Sequence, residues 1–423
     1  MRTPSIRTAG RVLALLGALT LCGWGIWQSA RAGTSRLISD YGVRTGQLLP
    51  ADLAVRLTPA DPEAHYARAG VLADAGALDE ARAAYERAIS LRPADYVLWL
   101  ELGKLREQSG DVDGALAAFG EAVRLAPYYA EPRWQLGNTL LRAGRTADAL
   151  AELRQAAMRE PSRYPSLLNL AWYTAKQEPQ TFVELINPTT TRAHLLVARF
   201  LAAHDAAQLA VAQFRAADAD NTETEQRDLL KELLGTRHYA EAYTVWAAGH
   251  ADAPAPGQLS NGGFEQPIQL DDIGFGWQLA HELGEAVKLS LDTTAPRAGA
   301  RSLRLDLAGN AAPDAELAAQ LVLASAGTRY RLRFAARTEE LVTGGPVFVR
   351  VTVANAQKDV ALANSALLPT GTSDWHDYVI EFTAPADARA LRVAVTRQSC
   401  VGGSNPCPVF GRLWLDEFKL EQY

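Results

Sequence analysis

The chain has 423 residues, a formal net charge of −6 and a pI near 5.7, which removes any general electrostatic case for nucleic-acid binding. Charged residues make up 21% and apolar ones 48%, which excludes a disordered acidic or basic chain, and the length allows two or three domains. Of the three cysteines, Cys22 lies in an apolar run, while Cys400 and Cys407 are close enough in sequence to close a short loop. A disulfide there would require an oxidising compartment, and two neighbouring free thiols are the alternative.

The chain begins with Arg2, Arg7 and Arg11 and no acid, followed by VLALLGALTLCGWGIW. This uncharged run of about 16 residues falls between a signal-peptide core and a full span. It reads as an export signal over residues 1–32. Ala30-Arg31-Ala32 offers a small-x-small cleavage site, whereas Trp24 and Trp27 sit where an interfacial belt belongs and favour a retained anchor. Either way the arginines stay cytoplasmic and the bulk of the chain is exported. The expected location is the periplasmic side of the inner membrane, or the periplasm or exterior after cleavage near Ala32. A lipoprotein reading of Leu19-Thr20-Leu21-Cys22 is weak, because leucine precedes the cysteine.

Residues 35–59 pattern as a helical half-repeat that would cap the helical stack. Residues 62–161 then read as three units of about 34 residues. Alanines recur in register at Ala81, Ala115 and Ala149 and again at Ala88, Ala122 and Ala156, where helices must approach closely. Tyr85, Phe119 and Leu153 would fill the space between them. Gly76, Gly110 and Gly144 mark turns, and Pro93, Pro127 and Pro161 end each second helix. The stretch resembles the tetratricopeptide repeat family. It departs from the family pattern at Arg68-Ala69 and in the position of Trp134. Helical patterning persists to about residue 250, with Ala240 and Ala242 among aromatics in a last helix, so the α region 35–250 is expected to be a superhelix of helix pairs. The resemblance implies a partner-binding groove along the first helices, at Tyr66, Gly70 and Asp74, then Leu100, Lys104 and Gln108, then Trp134, Asn138 and Arg142. Asn138 with Arg142 matches part of a carboxylate clamp, but Trp134 stands where the clamp's lysine would be. An amphipathic or extended peptide stacking on Trp134 fits better, against a groove filled by the chain's own later helices.

ADAPAPG, residues 251–257, reads as a semi-stiff linker. Beyond it the period switches to two, with about eight strands: VKLSL, SLRLDL, ELAAQLVL, RYRLRFAAR, PVFVRVTVA, DYVIEF, LRVAV and RLWLDEFKL. The series Ser260-Asn261-Gly262-Gly263-Phe264-Glu265, Gly276-Trp277, Gly299-Ala300-Arg301-Ser302-Leu303 and Leu415-Asp416-Glu417-Phe418 resembles the galactose-binding-like jelly rolls found as carbohydrate-binding modules. Gln320, Gly327 before Tyr330, Ala336-Arg337 and Trp375-x-x-Tyr378 fit the same order. The fold class is therefore multidomain: an all-α tetratricopeptide-type superhelix, then an all-β jelly-roll sandwich over 258–423, with one N-terminal membrane or signal helix.

That resemblance implies a structural calcium held by Glu265 and Asp416, with further oxygens from backbone carbonyls near Ala300 and Arg301, stapling the ends of the domain. The plain alternative is that Glu265 bonds the turn and Asp416 pairs with an arginine. It also implies a glycan-binding role, for which Gln320, Arg333, Arg337, Phe348 and Arg350 are the candidates. Alternation puts Arg329, Arg331, Arg333 and Arg337 opposite the core side chains of their strand, with Phe348, Arg350 and Thr352, and Arg392 and Thr396, likewise opposite theirs. If those strands share a sheet, its outer face suits sugar hydroxyls or carboxylates. If not, it is a solvated face whose arginines pair with Glu381 and Asp306. Trp277, Trp375 and Trp414 are either stacking platforms or core, and core is the commoner use.

No nucleophile elbow, phosphate loop, H-E-x-x-H or zinc-spaced cysteine pairs occur. His65, His194, His204, His238, His250, His281 and His376 are scattered, and Asp271-Asp272 before Gly274-Phe275-Gly276 read as solvated turn residues. The expectation is a non-enzymatic, membrane-anchored exported adaptor: repeats for a protein partner, a sandwich for glycan, in envelope polysaccharide synthesis or export. The alternatives are a purely structural assembly factor and an accessory module of a glycan-acting enzyme complex.

Overall fold

The computed structural model describes residues 6–217, 223–269, 272–279, 286–309, 316–354, 360–400 and 407–423, with side chains from Leu15 onward. Arg2, Asp271 and His281 therefore lie outside the described residues, and the side chains of Arg7 and Arg11 lie outside the described side chains. The chain forms two compact units, Met1–Ile186 and Asn187–Tyr423.

The first unit is all helical: α1 (Ile6–Thr45), α2 (Leu48–Leu57), α3 (Pro62–Asp74), α4 (Leu78–Leu91), α5 (Tyr96–Gln108), α6 (Val112–Leu125), α7 (Ala130–Arg142), α8 (Thr146–Arg159), a 3-10 turn, α9 (Tyr164–Thr174) and α10 (Pro179–Ile186). Helix starts are written in the sequence. Asp61 accepts Glu63 N–H at 3.1 Å with Pro62 behind it, Asp95 accepts Val97 N–H at 3.1 Å, and Asp111 accepts Gly114 N–H at 3.0 Å. Gly76, Gly110 and Gly144 take φ of 77°, 81° and 75°, the left-handed turn that a Cβ would strain.

Packing explains the recurrent alanines and the odd Ala69. Ala81, Ala88, Ala115, Ala122, Ala149 and Ala156 have no solvent exposure. A Cβ on Gly103 would stand 2.6 Å from the Phe119 ring, and one on Gly137 2.6 Å from Leu153. The large side chain of each second helix thus lies against a position on the first helix with no side chain. In the first repeat Ala69 takes that position opposite Tyr85, and both are buried. Arg68, the neighbouring departure, pairs with Asp52 of α2 at 2.6 Å. The leading element is a full pair rather than a half-repeat. The end of α1 packs on α2 and α3, Ser35 and Ser39 are buried, and Ser35 Oγ lies 2.7 Å from Thr58 Oγ1.

The second unit opens with α11 (Thr191–Ala203), α12 (Ala207–Ala216), α13 (Glu223–Gly235) and α14 (Tyr239–Ala248), and continues into β1 (Gln278–Leu279), β2 (Val287–Asp292), β3 (Ser302–Gly309), β4 (Glu316–Leu323), β5 (Arg329–Thr343), β6 (Val347–Val353), β7 (Val360–Asn364), β8 (Gly371–Thr383), β9 (Ala390–Arg397) and β10 (Val409–Gln422). Two antiparallel five-stranded sheets, ordered β1-β4-β9-β6-β7 and β2-β3-β10-β5-β8, form a sandwich. Its core is Leu303, Leu305, Leu307, Tyr330, Phe334, Val349, Val351, Val393 and Val395 with their neighbours. The two strands beyond the expected eight, β1 and β7, are short edge strands.

Residues 251–257 are tied down rather than free. Tyr243 OH donates to Pro254 O, and Gln258 N donates to Ala255 O at 3.1 Å. Tyr239 OH donates to Ala354 O at 2.8 Å, at the end of β6, so α14 is fastened to the sandwich.

Candidate binding surfaces

On the repeats, the groove residues come from α5 and α7. Lys104 Nζ donates to Glu101 at 2.9 Å, and Arg142 pairs with Glu107, which also accepts from Thr139 Oγ1 at 2.5 Å. Trp134 is half-buried with the Arg163 guanidinium 5.0 Å above its ring. Arg163 is held in turn by Glu131 at 2.8 Å and Glu160 at 2.7 Å. Burial pushes the Glu131 carboxyl up, but hydrogen bonds from Gln135 and Arg163 outweigh it and leave it below its ordinary value. Of the four candidate groove residues, Lys104 thus has a partner in an acid of its own repeat and Trp134 has one in Arg163, and Arg142 is held by Glu107 of α5. Lys104 and Arg142 each already hold an acid, Glu101 and Glu107, which an incoming carboxylate must displace. Exposed pairs of this kind are worth about 0.2–1 kcal/mol each, so exchange is cheap. Tyr66, the first groove position, borders a cavity of about 520 Å³ with Arg36, Asp40, Glu63 and Arg92.

In the sandwich the five glycan candidates do not converge. Arg333 and Arg337 lie on β5, in one sheet, whereas Gln320 on β4 and Phe348 and Arg350 on β6 lie in the other. Gln320 faces the core with no exposure, and its amide bonds both Ser260 N, at 3.1 Å, and Ser260 O, at 2.9 Å. It pins the opening motif to β4 and has no side-chain face left for a sugar. Phe348 is buried, and Arg350 lies over its ring at 5.1 Å. The outer face of the β5 sheet is the paired alternative. Arg331 bonds Glu381 at 2.6 Å, Arg304 bonds Asp306 at 2.6 Å, Arg412 bonds Glu339 at 2.6 Å, and Arg333 stands 3.8 Å from Glu421. Trp414 is buried under Arg304 and Arg337, at 5.6 and 4.5 Å, with its Nε1 donating to Asp292 at 2.7 Å. Trp277 is core, and Trp375 Nε1 donates to Ala295 O at 3.2 Å.

Glu265 and Asp416 do meet one loop from its two sides. Glu265 Oε1 accepts the amides of Ala300 at 2.9 Å and Arg301 at 3.2 Å, and Asp416 Oδ2 accepts those of Arg297 at 2.9 Å and Ala298 at 3.2 Å. Asp416 Oδ1 takes Glu417 N at 2.7 Å, and burial pushes this carboxyl up. A Cβ on Gly299, at φ 63°, would fall 2.0 Å from Glu265 Oε1, so only glycine fits the cradle. The staple expected of calcium is made by backbone N–H groups. Calcium needs 6–8 oxygens turned towards it; Glu265 Oε1 and both oxygens of Asp416 face N–H groups instead, and no group of three acidic, histidine or cysteine side chains that could hold a metal occurs among the described residues. The three oxygens engaged in this way are not available to the ion.

Cys400 and Cys407 are joined in a disulfide. Beside it Arg397, fully buried, donates to Cys407 O at 2.9 Å and Thr343 Oγ1 at 3.1 Å, and burial pulls its guanidinium below the ordinary value. A charge at the end of an apolar strand gave no sign in the sequence of this role.

The constellation that sequence reasoning passed over is at the foot of α14. Asp272, read as a solvated turn residue, is 6% exposed; both its oxygens accept Trp246 Nε1 at 3.0 Å, and Oδ1 also accepts Gly274 N at 2.7 Å. Gly274 is glycine because a Cβ there would enter the Trp246 ring at 2.2 Å. Phe275 packs on Tyr243 and Trp246, at 5.1 and 5.8 Å between ring centroids. His250 stacks on Trp246 at 4.2 Å and closes a cavity of about 310 Å³. The signal available was the tight Asp-x-Gly-Phe-Gly run beside a tryptophan-bearing helix.

Two tetratricopeptide repeat family models match this chain, one over residues 51–96 and 78–130 and the other over residues 106–171. The N-terminal helical region therefore carries tetratricopeptide repeats, the architecture of a protein-interaction scaffold, followed by an all-β domain. No curated protein matches. Solved structures similar to parts of the chain include one described as "CBM4 structure and function" (16% identity, 39% of this chain and 99% of that one, TM-score 0.29). Others are MamA 41-end from Desulfovibrio magneticus RS-1 (18%, 44% and 93%, TM-score 0.30) and PilF from Pseudomonas aeruginosa (16%, 48% and 98%, TM-score 0.33).

Proposed function

We propose that this protein is a non-catalytic adaptor held in the inner membrane by α1, with its bulk exported, its repeats binding a protein partner and its sandwich binding glycan during envelope polysaccharide synthesis or export. The observation that carries the reading is the first helix. Leu15, Leu16, Leu19, Leu21, Trp24, Ile26 and Trp27 are all exposed, and at about 100° per residue they ring the helix. A helix apolar all round belongs in lipid or in a large core. The same helix runs without a break through Ala30-Arg31-Ala32 into the buried Ser35 and Ser39, which supports a retained anchor over a cleaved leader. Among the described residues no helix is long and apolar enough to cross a membrane; residues 12–14, which begin the apolar run, lie outside the described side chains.

The partner reading is supported by the repeats and by the exchangeable pairs around Glu107 and Trp134. Glycan binding rests on the motif series of the sandwich alone, since its five candidate residues are divided between two sheets. The test is fractionation of the tagged full chain. Resistance to alkaline carbonate, lost on deleting residues 1–31, is expected, and a soluble full-length chain would overturn the anchor. A glycan array probed with the full chain in detergent tests the sandwich, and no binding to any glycan would leave the purely structural assembly factor as the better reading.

A further inference from the structure

The outer face of the β1-β4-β9-β6-β7 sheet holds a cation without an acid. On β6, Val347, Val349, Val351 and Val353 belong to the core, so Phe348, Arg350 and Thr352 point the other way. Phe348 and Thr352 are buried there, as are Ala394 and Thr396 of β9. Arg350 lies between Ala394 and Asn364, its register partners on β9 and on the edge strand β7, and Asn364 is exposed. The half-buried guanidinium rests on the Phe348 ring at 5.1 Å, and its Nε is enclosed without a hydrogen-bond partner. Nη1 and Nη2 are not enclosed, and among the described residues no carboxylate, carbonyl or hydroxyl bonds them. Other arginines of the sandwich differ. Arg392, opposite Thr352 on the same face, is held by Glu316 at 2.6 Å, and Arg304, Arg331 and Arg412 of the other sheet each have a carboxylate at 2.6 Å. A guanidinium that is seated on a ring and open at its outer fork is already oriented, so an anion arriving there has little ordering to offset.

We propose that Arg350 binds the carboxylate of an acidic sugar, its two outer nitrogens donating to the two carboxylate oxygens. The planar fork matches a carboxylate in a way that a sulfate or a hydroxyl does not reproduce, and the bonds are charge-assisted. Asn364 stands beside it across the strand pair, and its amide, without a partner among the described residues, carries a donor and an acceptor for a ring hydroxyl. Phe348 is the seat of the guanidinium rather than a platform for the sugar, since the ring is buried beneath it. The site lies wholly within the second unit. It rests on the glycan reading of the sandwich and narrows that reading to uronate-bearing chains.

The experiment is calorimetric titration of the full chain in detergent with tetragalacturonate and a hyaluronan tetrasaccharide, which carry two different uronates, with their methyl esters as neutral controls and a sulfated galactose tetramer as the other anion. Saturable binding of at least one acid is expected, with its ester and the sulfated chain each at least about tenfold weaker. Arg350→Met keeps the stem over Phe348 and removes the fork, and should weaken acid binding at least about tenfold. Asn364→Asp puts a carboxylate opposite Arg350, which should occupy the fork from within and weaken binding to a similar degree; lying on an exposed edge strand, it carries the test if Arg350→Met fails to fold by circular dichroism. An ester bound as tightly as its acid would overturn the proposal and leave the glycan reading standing. Equal binding of the sulfated chain, wild-type affinity in the folded variants, or no binding of either acid below about 10 mM would overturn it too, and the glycan array then decides the wider reading separately.

Discussion

Removing Trp246 should destabilise the sandwich even though the residue belongs to a helix. The ring is 2% exposed, packs on Phe275, Tyr243 and His250, and gives its N–H to a carboxylate that is itself 6% exposed. Trp246→Ala forfeits the packing of a fully buried aromatic, about 3–5 kcal/mol. Trp246→Phe keeps most of that packing and isolates the bond to the charged Asp272, about 1.5–3 kcal/mol. Because both changes leave Asp272 short of a donor, the two costs do not add. Equilibrium urea unfolding of the full chain, followed by far-ultraviolet circular dichroism at a β-sensitive wavelength, separates them: the β transition should move to lower urea in the order wild type, Phe, Ala. A fragment of residues 258–423 should be less stable than one of 187–423, since it loses α14 from Asp272 and uncovers Phe275. A β transition at the wild-type midpoint in Trp246→Ala would refute the reasoning, because α14 would then contribute nothing to the sandwich.

The loop over residues 297–301 should behave as amide-capped: EDTA leaves the melting temperature unchanged, while Glu265→Ala lowers it modestly, by about 0.5–1.5 kcal/mol of stability, because the amides of Ala300 and Arg301 are open to water. A melting point that falls with EDTA and recovers with calcium would reverse that conclusion. Gly103→Leu should unfold the second repeat by driving its side chain into Phe119, whereas Gly120→Ala, with open space at its Cβ, should be near neutral by thermal melting. Asp292 is held at about 2 by bonds from Thr294 and Trp414. Its folded value is depressed, so its stabilisation is complete above the unfolded value of 3.8 and is lost as pH falls through about 2. Asp292→Asn should therefore flatten the acid limb of a melting-temperature profile between about pH 4 and 2, and an unchanged slope would exclude Asp292 from it. Trp134→Ala with Arg142→Ala should abolish capture of a defined partner; retention at wild-type level would move the partner site off α7.

The repeats were legible because their packing rule is local and periodic: alanine at fixed intervals, glycine at each turn, and a large side chain opposite each gap, all within about 34 residues. The strands were legible for a similar reason, since a period of two is visible in any run with one face in a core. Which strands share a sheet was not legible. Alternation assigns a side to Arg333 and to Phe348 but cannot say that β5 joins β10 while β6 joins β9, and the glycan face built on their union came apart for that reason. Gln320 and Asp272 failed differently. Polar side chains in loops and strands are normally solvated, and nothing near either in sequence announces that Ser260, sixty positions away, or Trp246, twenty-six away, supplies its partner. Partners of this kind are brought by topology. The same long-range pairing makes Asp272 informative: a turn acid with no task would not be buried under a tryptophan against a glycine that cannot be replaced.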